Sequence, residues 1–137
     1  MRERYFLIEP KYSDPDTFCC FTVGSDRVRA SIQIYANLWM LEAAADALEA
    51  DSLDYEAPVD IEFEEGPDLF YFYLTVPPHA GGGRQLRFRI FRDFMDDGAS
   101  YRADIRFDLT PEQACKLAKD LREWCANPVY AFIWKED

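Results

Sequence analysis

Residues 58–109 read PVDIEFEEGPDLFYFYLTVPPHAGGGRQLRFRIFRDFMDDGASYRADIRFDL, and most of the expected architecture follows from this segment. Apolar and polar side chains alternate along it, which is typical of strands that bury one face. Turn-forming residues interrupt the alternation at Gly66-Pro67-Asp68, Gly81-Gly82-Gly83 and Asp97-Gly98. The segment therefore predicts an antiparallel meander of four strands, over 58–65, 69–77, 84–92 and 100–109.

The residues before the meander predict three strands and a helix. Strands are expected at 5–8, 18–23 and 27–36, and the turn Gly24-Ser25-Asp26 joins the last two. A helix from about Leu38 to Ala50 follows, because its apolar residues recur at helical spacing and Asn37 is placed to cap it.

The residues after the meander predict a second helix and a last strand. Thr110-Pro111-Glu112-Gln113 is a capping box with proline at the first helical position, and Asn127-Pro128 ends the helix. A strand is expected over Val129 to Trp134. If it lies exposed at the edge of a sheet, it offers a route to a homodimer.

At 137 residues the chain is expected to be a single α+β domain, residues 1–137. About seven or eight strands, in the order βββαββββαβ, are expected to form a mainly antiparallel sheet with two helices packed on one face. This order has no regular alternation of strand and helix, which disfavours a Rossmann fold or a barrel.

The negative charge of the chain is concentrated in one segment. The formal net charge is −11, and between Ala30 and Gly83 there are eleven Asp and Glu residues but no Lys or Arg. The remaining residues carry 15 basic and 15 acidic side chains, since 26 acids less these eleven leave 15. Such a block attracts cationic partners and opposes binding to nucleic acid.

The first helix carries part of this charge along one edge. Glu42, Asp46 and Glu49 lie at helical spacing with no basic residue nearby in sequence, so they repel one another. Two interpretations are open. The edge binds a basic partner, or it is a solvated face whose basic partners come from elsewhere in the fold.

The first strand of the meander carries a second acidic group. Asp60, Glu62 and Glu64 share its polar face, and Tyr71 and Tyr73 are expected beside them on the next strand. Most of the six carboxylates of the helix and the strand are expected to be exposed and without a Lys or Arg within about 4 Å. Acids beside tyrosines are typical of an interface for a basic protein.

The third meander strand offers two arginines, Arg87 and Arg89, on the same face. They lie two strand spacings, roughly 10 Å, from the acids, so they are expected to compensate them only in part. Their nearer neighbours across the Asp97-Gly98 hairpin are Asp104 and Asp108.

No motif indicates catalysis, a metal or a cofactor. His79 is the only histidine, and it lies in a Pro-Pro-His-Ala-Gly-Gly-Gly segment that is typical of an exposed turn. No calcium loop or phosphate-binding glycine motif is present. We therefore expect no catalytic residue, no metal and no cofactor.

The four cysteines are Cys19, Cys20, Cys115 and Cys125. They lack the paired Cys-x-x-Cys spacing of a zinc site, and neighbouring residues of a strand point to opposite faces. Free thiols are therefore expected. Neither a signal peptide nor an apolar run of about eighteen residues is found, so a cytoplasmic protein without a membrane partner is expected.

The sequence thus favours a non-enzymatic protein whose acidic surface docks a basic protein. By analogy of charge alone, acidic proteins that neutralise basic nuclease toxins, or that mimic DNA, use the same attraction. The alternative is a small-ligand module or weak enzyme with a pocket between sheet and helices. Such a pocket would be lined by Trp39, Tyr71, Tyr73 and Trp124.

Overall fold

The computed structural model describes residues 3–14, 16–54, 58–65, 70–94 and 99–136. The elements in chain order are β1 (Tyr5–Asp14), β2 (Asp16–Gly24), β3 (Arg29–Ala36), α1 (Leu38–Glu49), β4 (Ser52–Leu53), β5 (Val59–Glu65), β6 (Phe70–Val76), β7 (His79–Ala80), β8 (Arg84–Phe94), β9 (Ala99–Leu109), α2 (Pro111–Ala126) and β10 (Phe132–Lys135).

The strands of the described segments form three antiparallel sheets. One has the order β10-β1-β2-β3, the second has the order β5-β6-β8-β9, and β4 pairs with β7 in a short third sheet. The α+β class and the four-strand meander are confirmed, whereas the single sheet of the prediction is divided between two four-stranded sheets. Alternation tells which face of a strand is buried but not which sheet the strand joins.

The core lies between the two larger sheets. The ring of Phe21 in β2 stacks on that of Phe72 in β6, with ring centroids 4.2 Å apart. Phe6 of β1 meets Phe88 of β8 at 4.9 Å. These aromatic side chains are fully buried, so each sheet turns one face inward and the other outward.

The two helices pack against one another and against the sheets. α1 also contacts β5 and β6, and α2 contacts β9 and β10. The capping box of Thr110 and Gln113 forms as predicted. Asn37 occupies the N-cap position of α1, but its side chain makes no capping hydrogen bond. Neither described helix has the length and apolar run that crossing a membrane needs.

The connection before the last strand differs from the prediction. Residues 127–130 form a turn, so the last strand begins at Phe132 and not at Val129, and it lies at the edge of its sheet beside β1. Gly81 and Gly82 adopt φ of 63° and 54°, a region that glycine enters without strain. The predicted turns Gly66-Pro67-Asp68 and Asp97-Gly98 lie outside the described residues.

Arg84, at the start of β8, connects the end of α1 to the turn at Gly81 and Gly82 through hydrogen bonds. Its side chain is buried and donates to the carbonyl oxygens of Leu48 and Ala50, at 3.3 and 3.0 Å. It also donates to the carbonyl oxygens of Gly81, at 3.4 Å, and of Gly82. A cation at the carboxyl end of a helix interacts favourably with the helix dipole and with the last carbonyl groups.

We expect Arg84→Met to lower the free energy of unfolding by about 2–4 kcal/mol, because the substitution removes the charge-assisted hydrogen bonds of a buried guanidinium to several carbonyl groups. Urea unfolding followed by circular dichroism measures the change. Arg27→Met is the matched control, since Arg27 is exposed, and it should stay within about 0.5 kcal/mol of the wild type. Equal stability of the two variants would contradict the role of Arg84.

Candidate functional site

The candidate site is the outward face of the sheet β5-β6-β8-β9, here called the outer face. Pairing between strands sets its residues in rows across β5, β6 and β8. Each row begins with a carboxylate, continues with a hydroxyl group and ends with an arginine or a phenylalanine. The rows are Asp60-Thr75-Arg87, Glu62-Tyr73-Arg89 and Glu64-Tyr71-Phe91.

The three β5 carboxylates of the outer face differ in their partners. Asp60 accepts a hydrogen bond from the Thr75 hydroxyl at 2.6 Å and lies 3.7 Å from the Arg89 guanidinium. Glu64 accepts a hydrogen bond from the Tyr73 hydroxyl. Glu62, between them, has no Lys or Arg within 4.0 Å among the described residues. The centre of the acidic strand is thus the least compensated position.

The environment of Glu62 disfavours its charged form. Burial raises the pKa of Glu62 above its ordinary value, and the negative charges of Asp60 and Glu64 raise it further. Arg89 opposes this effect without cancelling it. A cation placed beside Glu62 would favour the carboxylate, so this position is suited to accept a Lys or Arg from a partner.

The tyrosines form a rigid strip next to the acids. Tyr71 and Tyr73 stack with centroids 4.2 Å apart, and Tyr71 also stacks on Phe91 at 5.4 Å. The guanidinium of Arg89 lies over the Tyr73 ring at 5.3 Å. Burial and the hydrogen bond to Glu64 raise the pKa of Tyr73, so its phenol keeps its proton.

The two predicted arginines behave differently from one another. Arg87 donates to both carboxylate oxygens of Asp104, at 3.0 and 2.5 Å, which confirms its pairing across the hairpin. Asp108 instead accepts a hydrogen bond from Gln85 at 3.0 Å. Arg89 reaches Asp60 despite the two strand spacings, because its long side chain extends across the Tyr73 ring.

The acids of α1 have a basic partner from α2. The Arg122 guanidinium lies 3.4 Å from Asp46 and donates to Glu49. With Asp60, three of the six acids thus have an Arg within 4.0 Å, so the expectation that most of them lack one is wrong. For Asp46 and Glu49 the alternative of partners from elsewhere in the fold is confirmed. Glu42 is exposed and makes no ion pair with the described residues.

The two acidic groups lie on different surfaces. α1 packs on β5 from the side of the core, where Ile61 and Phe63 are buried. Asp60, Glu62 and Glu64 alternate with these residues and therefore point away from α1. The continuous acidic segment of the sequence is thus divided between the exposed edge of α1 and the outer face.

The four residues of the alternative pocket do not come together. Tyr71 and Tyr73 lie on the outer face, Trp39 is 68% exposed on α1, and Trp124 is buried against Phe132. Because successive side chains of a strand point to opposite faces, the two tyrosines point away from the helices. The predicted pocket between sheet and helices is therefore not formed by these residues.

His79 is more enclosed than the sequence predicts. It lies in β7, half-buried, with Nε2 3.0 Å from the Ala50 carbonyl oxygen. That carbonyl group also receives Arg84, so His79 belongs to the same structural junction. Sequence reasoning missed this junction because its partners are distant along the chain.

The four cysteines are free thiols in unequal environments. Cys19 and Cys125 are buried, Cys20 is half-buried and Cys115 is exposed on α2. Burial raises the pKa of both Cys19 and Cys125 to about 12. No group of three or more His, Cys, Asp or Glu side chains suited to a metal ion occurs among the described residues.

Comparisons with protein-family models, with curated proteins and with solved structures find no match to this chain. The site is therefore interpreted from its own geometry.

Thiol chemistry tests the burial pattern. In the folded protein at about pH 8, we expect Cys115 to react first with a disulfide reagent, because the thiolate is the reactive form and Cys115 is exposed. Cys19 and Cys125 should react only as the fold opens. Cys115→Ser should remove the fast phase and Cys125→Ser should retain it, as followed by absorbance. A fast phase that survives Cys115→Ser would contradict the assignment.

Glu62→Gln should stabilise the free protein slightly at pH 7, because it removes a charge that its neighbours repel. A raised folded-state pKa favours folding below the ordinary value of 4.5 and loses that benefit as pH rises. The gain from Glu62→Gln should therefore vanish below about pH 4. Urea midpoints at both pH values measure this.

Glu64→Gln is the matched control for Glu62→Gln on the same strand face. Glu64 accepts the Tyr73 hydroxyl, so its substitution removes a hydrogen bond and should not stabilise the protein. If Glu62→Gln destabilises the protein at pH 7, the charge of Glu62 is not repelled by its neighbours in the way this prediction requires.

Proposed function

We propose that this protein is a non-enzymatic binding module that docks a basic protein partner through its acidic surface. The observation that carries the proposal is the β5 row of carboxylates, in which Glu62 lies between two like charges and has no Lys or Arg within 4.0 Å among the described residues. A lysine or arginine of a partner would relieve this repulsion.

The aromatic strip supports the same proposal. Tyr71 and Tyr73 are half-buried, mutually stacked and fixed by neighbouring side chains. Rigid tyrosines lose little side-chain entropy on binding, and they are enriched among residues that dominate interface energy. The acids would guide the partner, and the tyrosines would supply contact area.

The exposed edge of α1 is the second contact region in this proposal. Arg122 serves two carboxylates there, so Glu42, Asp46 and Glu49 together keep a net negative charge. The two regions face different directions, so a partner with one flat surface would not contact both at once. In this proposal it contacts the outer face first. Four free thiols are typical of a reducing compartment, so we expect the encounter in the cytoplasm.

The proposal is tested on a partner that the immobilised wild-type protein captures from cell lysate and that is eluted at high salt. The double variant Glu62→Lys, Glu64→Lys should slow association with the captured partner about tenfold or more at low salt, because steering by exposed charge is lost. The wild-type rate should also fall steeply with ionic strength. Surface plasmon resonance on the salt-eluted partner measures both effects.

A matched control separates the site from the net charge. Glu112→Lys, Glu123→Lys makes the same change of charge on exposed positions of α2 and should leave association within about twofold. His79→Ala should not change the association rate. If the α2 variant slows binding as much as the β5 variant, or if the captured partner is acidic, the proposal fails.

A further inference from the structure

A groove of about 380 Å³ lies at one end of the outer face. Pro58, Pro77 and Pro78 supply the apolar part of its lining, and Arg87 and Arg106 supply the cationic part. The groove is formed where β5 begins and β6 ends, so it is separate from the central acid Glu62. Its combination of proline rings and guanidinium groups suits an amphipathic anion.

Most polar side chains of the groove already have partners. The Thr75 hydroxyl donates to Asp60, the Gln85 amide donates to Asp108, and Arg87 donates to Asp104. Arg106 is exposed and makes no hydrogen bond or ion pair with any residue that the structure describes. Arg106 is therefore the guanidinium that is open to a ligand.

The register of β8 and β9 sets two like charges against one another. Arg87 and Arg106 are direct partners across the two strands. Like charges at directly opposed positions of a sheet are destabilising, and Asp104 compensates only Arg87 by direct contact. An anion held beside Arg106 would remove this repulsion.

We propose that the groove binds a small monocarboxylate with an apolar body. The planar guanidinium of Arg106 matches a carboxylate, and the three proline rings contact the apolar part. A single negative charge is favoured because three lining residues are hydrogen-bonded to Asp60, Asp104 and Asp108, whose charges repel a dianion more strongly than a monoanion. This site goes beyond the docking of a basic protein, since its ligand is an anion whereas the docked partner is cationic.

The test is a titration of the full chain, labelled with ¹⁵N, with benzoate, benzamide and inorganic phosphate. Benzoate should shift the backbone amide signals of Thr75, Gln85 and Arg106 with a Kd on the order of millimolar, as expected for so small a ligand. Benzamide has the same shape without the charge, so its Kd should be higher by about tenfold or more. Phosphate should not bind in the groove.

Variants of β9 complete the test. Arg106→Gln should weaken benzoate binding about tenfold or more, and Arg106→Lys should give an intermediate Kd because it keeps the charge without the planar fork. Arg102→Gln removes an exposed arginine of the same strand face and should leave the Kd within about twofold. Unchanged signals elsewhere in the spectrum verify that the variants are folded.

Three results would overturn the proposal. Benzoate binding that survives Arg106→Gln removes Arg106 from the site. Equal binding of benzamide removes the carboxylate from recognition. Shifts confined to the separate crevice formed by Arg29, Ser31, Arg92 and Tyr101 place the ligand elsewhere. None of these results depends on Glu62, so they are distinguishable from a failure of the docking proposal.

Discussion

The structure depends on the burial of aromatic side chains between two antiparallel sheets. Phe21 and Phe72 stack at the centre of that layer, and the strands around them bury every second side chain. Because successive side chains of a strand point to opposite faces, burial of Ile61 and Phe63 forces their carboxylate neighbours outward together. The acidic row on β5 is thus a direct consequence of core packing, and its mutual repulsion is tolerated because the core outweighs it.

The helix and strand acids meet different environments because α1 and β5 have different neighbours. α1 packs beside α2, which brings Arg122 within 3.4 Å of Asp46. β5 lies at the edge of its sheet, and its neighbour β6 presents tyrosine and threonine to the acids. Among the residues that the structure describes, only Arg89 reaches across this strip, and its Nε–H is buried without an acceptor. Compensation of the β5 acids is therefore incomplete.

The sequence predicts those features that local periodicity and local hydrogen bonds determine. The meander of residues 58–109 and the capping box at Thr110 are confirmed, because alternation and capping act within a few residues. The division into two sheets, the junction around Arg84 and the pairing of Arg122 with Glu49 depend on contacts between distant residues. Arg84 and Ala50 are 34 positions apart, and Arg122 and Glu49 are 73 positions apart. No local pattern encodes such partners, so the sequence predicted the acids of the site but not which of them would be compensated.

The geometry of the sheet also explains why Glu62 and Arg106, both on the outer face, do not neutralise each other. Glu62 lies on β5 and Arg106 on β9, the two edges of the sheet β5-β6-β8-β9. Three strand spacings of about 4.8 Å separate these edges by roughly 14 Å, which exceeds the screening length of about 8 Å in physiological salt. The stacked rings of Tyr71, Tyr73 and Phe91 occupy part of the strip between the edges and carry no charge to bridge them. Each edge therefore keeps its own potential, so the acidic edge remains open to a cation while the groove at Arg106 remains open to an anion.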